Sequence, residues 1–210
     1  MLIAFEGLHG AGKSTQVAAL VRRLRDDGVP VVETSWNSSP PLGDRIGRLK
    51  IENRLGPLSM VLMEAADLAY RIETELREAL DHGIVVADRW YYSTVVRAVS
   101  RAVDERYVRS CFEFAPEPDV LFHLTCTARE TLDRRMAAGL PLVGHLIGED
   151  IRPGIEAREG YLRHQGEVAA LYERVLPRRR VQLSCQEPPD VLHDRVVNVV
   201  HSRLPAPRAV

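Results

Sequence analysis

No stretch of this 210-residue chain approaches the roughly 20 consecutive apolar residues that a membrane helix needs, so a membrane partner is not expected. Net charge is nearly absent as well. The 28 basic residues stand against 29 acidic ones, which argues against a nucleic-acid surface as the main partner. Cysteine is scarce. Cys111, Cys126 and Cys185 are odd in number and share no metal-ligand spacing, which predicts free thiols packed as small hydrophobes in a reducing compartment. The opening Met1-Leu2-Ile3-Ala4-Phe5 has no basic n-region and turns at Gly7 too soon for a signal peptide, so a cytoplasmic chain is expected. Internal repeats and domain linkers are lacking, which predicts one domain over 1–204 and a flexible tail over 205–210.

What is present suffices for one core, since 45% of the residues are hydrophobic. Short runs rich in Val, Ile and Leu alternate with longer segments of helical period. That is the pattern of an α/β protein with a parallel sheet covered on both faces. Strands are predicted over 2–6, 29–34, 84–88, 120–125 and 180–183. Helices are predicted over 13–26, 58–82, 94–101, 105–114, 128–138, 156–175 and 190–202. The segment 35–55, with Ser38-Ser39-Pro40-Pro41 and Gly43, reads as a loop running into a short helix. A mobile lid is predicted over about 138–158, where Gly139, Pro141, Gly144, Gly148, Pro153 and Gly154 interrupt the apolar periodicity. The Arg178-Arg179-Arg180 run reads as a solvated turn.

Gly7-Leu8-His9-Gly10-Ala11-Gly12-Lys13-Ser14 is a Walker A pattern, with an apolar strand before it and a helix-forming run after it. Glycines let the backbone curl so that successive N–H groups face a phosphate, and the helix N-terminus adds its positive end. His9, Gly10, Ala11, Gly12, Lys13, Ser14 and Thr15 are therefore the candidate ATP-binding residues, with Lys13 on the β- and γ-phosphates and Ser14 on Mg²⁺. The third strand delivers Asp88-Arg89 to its C-terminal end, the edge where open α/β sheets bind ligands. A carboxylate there suits Mg²⁺ or the attacking oxygen, and an arginine suits phosphoryl groups.

The N-terminal FEGLHGAGKST, Pro41-Leu42-Gly43, Val85-Val86-Ala87-Asp88-Arg89-Trp90 with Ser93, and Pro118-Asp119-Val120 together resemble thymidylate kinase. The resemblance implies a P-loop NTPase fold, a five-stranded sheet ordered 2-3-1-4-5, a lid closing over the donor, and γ-phosphoryl transfer from ATP to a nucleoside monophosphate. It implies catalytic roles for Asp88 and Arg89 and a place for Arg134 against the donor adenine. Family members take a catalytic arginine from the phosphate loop or the lid. His9-Gly10-Ala11 offers none, which leaves Arg152 and Arg158 as candidates. Family members also often dimerise through a helix like 58–82, so a homodimer remains open.

Departures from the family cluster on the acceptor side. His9 stands where the family has a carboxylate, and Ser35-Trp36-Asn37-Ser38-Ser39-Pro40 replaces a loop that carries a phosphate-binding arginine. Glu64-Ala65-Ala66-Asp67-Leu68 replaces a segment with a base-stacking ring and a further arginine. Trp36 and Tyr70 are candidate replacement rings, and Arg45, Arg71 and Arg89 are candidate phosphate ligands. Glu64, Asp67 and Tyr92 complete the acceptor candidates. Three readings stay open: a nucleotide acceptor in a rebuilt pocket, a non-nucleotide small-molecule acceptor, or an ATP-binding switch. Lys13, Asp88 and Arg89 together argue against a mere binder.

Overall fold

The computed structural model describes residues 1–204; the tail predicted over 205–210 lies outside the described residues. Strand β1 (Leu2–Gly7) is buried along its whole length, as the central strand of a doubly covered sheet must be. It is flanked by β3 (Ile84–Asp88) and β4 (Val120–Thr125), with β2 (Val31–Ser35) and β5 (Val181–Ser184) at the edges. All four pairings are parallel and the order is β2-β3-β1-β4-β5.

Alternation along the strands sorts the core into two layers. Leu2, Ala4, Val85, Ala87 and Leu121 face one side, where α3 (Pro57–Arg71), α5 (Tyr91–Val99) and α9 (Ala157–Val175) cover them. Ile3, Phe5, Ile84, Val86 and Phe122 face the other, beneath α1 (Lys13–Asp26) and α10 (Pro189–His201). The remaining helices are α2 (Gly43–Ile51), α4 (Arg77–His82), α6 (Glu105–Ser110), α7 (Ala128–Ala137) and α8 (Gly144–Ile147).

Several boundaries differ from the sequence reading, each for a physical reason. β2 starts at Val31 because Pro30 has no N–H to give the ladder. α5 starts at Tyr91 because the Glu6 carboxylate reaches across from β1 and accepts the N–H groups of Trp90 and Ser93 at 2.9 and 3.2 Å. A remote side chain thus caps this helix. The predicted helix 58–82 is interrupted by a π turn over Ile72–Leu76, between α3 and α4. The lid segment contains α8, whose Leu146 and Ile147 join Leu132 and Tyr161 in a small core of their own.

The expectation of three free thiols is corrected. Cys126 and Cys185, just beyond the ends of β4 and β5, form a disulfide with Cα atoms 5.5 Å apart, and Cys111 alone is free. Thr125 and Ser184 are in register on neighbouring strands, so the sheet itself brings the two cysteines together.

Candidate active site

The C-terminal ends of β1, β2 and β3 open into a cavity of about 650 Å³. Its walls come from the loop after β1, the end of β2, α2, the end of β3, α5, α7 and the lid. The loop is forced into shape by its glycines. Gly7 has φ 141°, and a Cβ there would sit 2.4 Å from the Leu124 carbonyl oxygen. Gly12 has φ 100° and leads straight into α1, which has no side-chain cap and no acid in its first turn. The free N–H groups of that turn are what a phosphate requires.

Lys13 is buried and its Nζ donates to the Leu8 carbonyl at 2.8 Å, folding it back over the loop. Burial lowers its pKa, and Arg89 lowers it further while Asp88 and Glu6 oppose the fall. The Ser14 hydroxyl donates to the Asp88 carboxylate, so two hard oxygen ligands from separate elements meet beside the loop. That pairing suits Mg²⁺.

Arg89 has φ 74°, left-handed and costly for a residue with a Cβ. The cost is offset by an anchored side chain, held through one nitrogen. Its Nη1 donates to Gly7 O at 2.8 Å and to Ser93 Oγ and Tyr172 OH, both at 2.9 Å. Glu6, fully buried beneath it, accepts from Ser93 Oγ at 2.7 Å. Burial raises the Glu6 pKa, against the pull of Arg89 and Ser93. Glu6 and Tyr172 therefore position Arg89 without lining the cavity.

Of the donor-side candidates, His9, Gly10, Gly12, Lys13, Ser14, Thr15 and Arg134 line the cavity. Ala11 contributes its carbonyl, which accepts from Arg134 Nη1 at 3.4 Å, and Arg134 also donates to the Cys185 carbonyl. His9 is exposed to the open cavity, yet desolvation by the cavity walls, then Arg89 and Arg97, lower its pKa to about 3, so its imidazole is neutral at pH 7. On the acceptor side Trp36 and Arg89 line the cavity, with Ser35 beside them.

Other sequence candidates lie elsewhere. Arg71 is buried against Asp67 and donates to Thr34 Oγ1 at 2.8 Å, and Asp67 also accepts the Ser39 N–H, so this pair braces the loop after β2. Tyr92 turns away and donates to Glu117. Tyr70 is exposed on α3 and Arg45 on α2, both outside the cavity lining. Glu64 sits behind the wall, paired with Lys50 and accepting from Thr94 Oγ1 at 2.6 Å. Arg158 is exposed and Arg152 is held by Glu167 at 2.7 Å; neither lid arginine lines the cavity.

Their places are taken by Lys50, Arg97, Arg135 and His145, which sequence reasoning missed. For Arg97 a signal existed. It lies four residues after Ser93 and so shares a helix face with the residue that grips Arg89. Arg135 is held by the Pro141 carbonyl at 2.7 Å, with His9 Nδ1 3.4 Å away.

A model of the family described as thymidylate kinase matches residues 5–164. A protein named thymidylate kinase from Chlorobium chlorochromatii is 34% identical over 220 aligned positions, covering 97% of this chain and 96% of the relative. One named probable thymidylate kinase 2 from Saccharolobus solfataricus is 33% identical, covering 83% of this chain and 82% of the relative. A probable thymidylate kinase from Thermococcus kodakarensis is 25% identical over 97% of this chain and 98% of its own length.

Proposed function

The chain belongs to the thymidylate kinase family, and from that premise we propose that it transfers the γ-phosphoryl group of ATP to a nucleoside monophosphate of the thymidylate type. The observation that carries this reading is the meeting of Lys13, Ser14, Asp88 and Arg89 around one cavity large enough for donor and acceptor phosphates. A mere binder does not need all four. A non-nucleotide acceptor is not favoured by the family or by the names of its members.

The phosphate loop and the first turn of α1 bind the donor's phosphates, and Lys13 offsets the charge that gathers on the transferred group. Arg134 bridges the phosphate loop and the loop after β5, and the reading assigns it to the donor's base. Ser14 and Asp88 would hold Mg²⁺, which would supply positive charge to offset what develops on the transferred group. Arg89, fixed by Gly7, Ser93 and Tyr172, faces the acceptor without needing to reorganise. His145 and Leu140 bring the lid to the rim, where closure excludes water from the transfer.

The reading places the protein in the cytoplasm, where ATP is supplied; no described helix is long and apolar enough to cross a membrane. Leu58 and Leu62 are exposed on α3 and form an apolar strip through which two copies would pair. The test is ADP release from Mg-ATP across a panel of nucleoside monophosphates, nucleosides and phosphorylated metabolites, with Lys13→Ala as the blank. Turnover confined to monophosphates supports the reading. Turnover confined to nucleosides or metabolites refutes it.

A further inference from the structure

The cations around the cavity are tethered, with one exception. Lys13 is tied to the Leu8 carbonyl, Lys50 to Glu64, Arg89 to Gly7, Ser93 and Tyr172, Arg134 to two backbone carbonyls, and Arg135 to Pro141. Arg97 has no side-chain hydrogen bond or ion pair with any described residue. It is only 7% exposed, and its Nε is buried without a partner. A buried guanidinium with nothing to pair with is unfavourable, because burial strips its water and returns nothing. Burial, and then the neighbouring Arg89, lower its pKa to about 10, which leaves it charged at neutral pH.

No carboxylate nearby is free to satisfy it. Glu64 is engaged by Lys50, Thr94 and Asn37, and Asp88 by Ser14. Arg97 does line the cavity, and its guanidinium carbon lies 4.9 Å from the centre of the Trp36 ring. The guanidinium carbon of Arg89 lies 5.7 Å from the same centre. Two arginines thus flank one aromatic ring on the cavity wall, a ring that Lys50 Nζ also approaches to 3.9 Å.

We infer that Arg97 is the second arm of a clamp on the acceptor's phosphate, closing with Arg89 on its two negative charges. This rests on the monophosphate reading above and deepens it by naming the residue that reads the phosphate. The other candidates for that arm are ruled out by their surroundings: Arg71 is consumed by Asp67 and Thr34, and Arg45 is exposed on α2 outside the cavity. The loop over 35–40 contains no arginine, and position 68 is leucine. The clamp has moved to α5, where the four-residue step from Ser93 aims a second guanidinium at the same place. It selects an acceptor that arrives already phosphorylated, and it discriminates against the unphosphorylated nucleoside.

The test compares wild type, Arg97→Gln and Arg97→Lys in the full chain, using dTMP and thymidine as probes. Arg97→Gln is expected to raise the KM for dTMP about thirtyfold, the order of effect for losing one charge-assisted pair. Its kcat and its KM for Mg-ATP should stay close to wild type, and Arg97→Lys should recover part of the loss. In calorimetric titrations without ATP, the wild type's preference for dTMP over thymidine should shrink by a similar factor in Arg97→Gln. The thermal midpoint should not fall, because the removed cation had no partner; should Arg97→Gln fail to fold, Arg97→Met carries the same comparison. Wild-type turnover on dTMP with the KM unchanged in Arg97→Gln overturns the clamp and leaves the kinase reading standing. A wild type that neither phosphorylates nor binds any nucleoside monophosphate overturns both.

Discussion

Arg71 Nε donates to Asp67 Oδ2 at 2.9 Å with both side chains almost wholly buried, and Asp67 Oδ1 takes the Ser39 N–H at 3.0 Å. One ion pair on α3 therefore holds the loop that carries Trp36. Removing either partner leaves an uncompensated buried charge, so Arg71→Met or Asp67→Leu is expected to cost about 3–5 kcal/mol. The double variant should recover much of that, since neither charge is then stranded. Urea unfolding of the three variants measures this. Additive losses in the double variant would show that the pair is not the unit that matters.

Lys13 is the cation folded back over the phosphate loop. Its lost charge should reduce turnover by about three orders of magnitude in Lys13→Ala, with the far-ultraviolet spectrum unchanged. Arg89→Lys should also fall steeply, because a lysine has no second nitrogen to present to the acceptor while the first is held by Gly7, Ser93 and Tyr172. Retention of more than a tenth of the wild-type rate by Lys13→Ala would mean that another group carries the donor's charge.

Acid should destabilise the fold through histidines whose pKa is lowered, His9 and His145 to about 3 and the two most buried, His164 and His123, to about 4. Burial, then Arg101 and Arg97, hold His164 at about 4, and burial is the leading cause that holds His123 at about 4, with Glu173 opposing it. Both values lie below the ordinary 6.5. Between these limits the unfolded chain binds protons that the folded chain does not, so stability falls as pH drops through that window. The slope is up to ~1.4 kcal/mol per pH unit for each histidine. Unfolding free energies from pH 7 to 4.5 test this, and His164→Gln should flatten the curve. A flat wild-type curve would contradict the assignment.

The Cys126–Cys185 bridge closes a loop with a sequence separation of 59. Replacing both cysteines by serine should cost about 2–4 kcal/mol, mainly by freeing the unfolded chain. Because the Cys185 carbonyl accepts from Arg134, the same variant should weaken ATP more than the acceptor. Thiol titration in denaturant should find one reactive group per chain before reduction and three afterwards. Three before reduction would contradict the pairing.

The parts of this molecule that were legible in the sequence are those whose cause is local. The phosphate loop needs its glycines within a few residues of one another, and Asp88 and Arg89 follow directly from the end of a buried strand. Both survive translation into three dimensions without knowledge of neighbours. Other features depend on strand order. Cys126 and Cys185 meet only because β4 and β5 are adjacent, and Glu6 caps α5 only because β1 lies beside β3. The acceptor site was least legible because it depends on which way helix residues point. Arg71 and Arg97 look alike in sequence, yet one is turned into an internal pair and the other into the cavity.

The most direct test of the central claim follows the label from γ-³²P-ATP in the presence of Mg²⁺ and a nucleoside monophosphate, with the products separated by chromatography. Label is expected in the nucleoside diphosphate at the rate of ADP formation, and none in products formed from the unphosphorylated nucleoside. Label released only as inorganic phosphate, at a rate indifferent to the monophosphate, would contradict it.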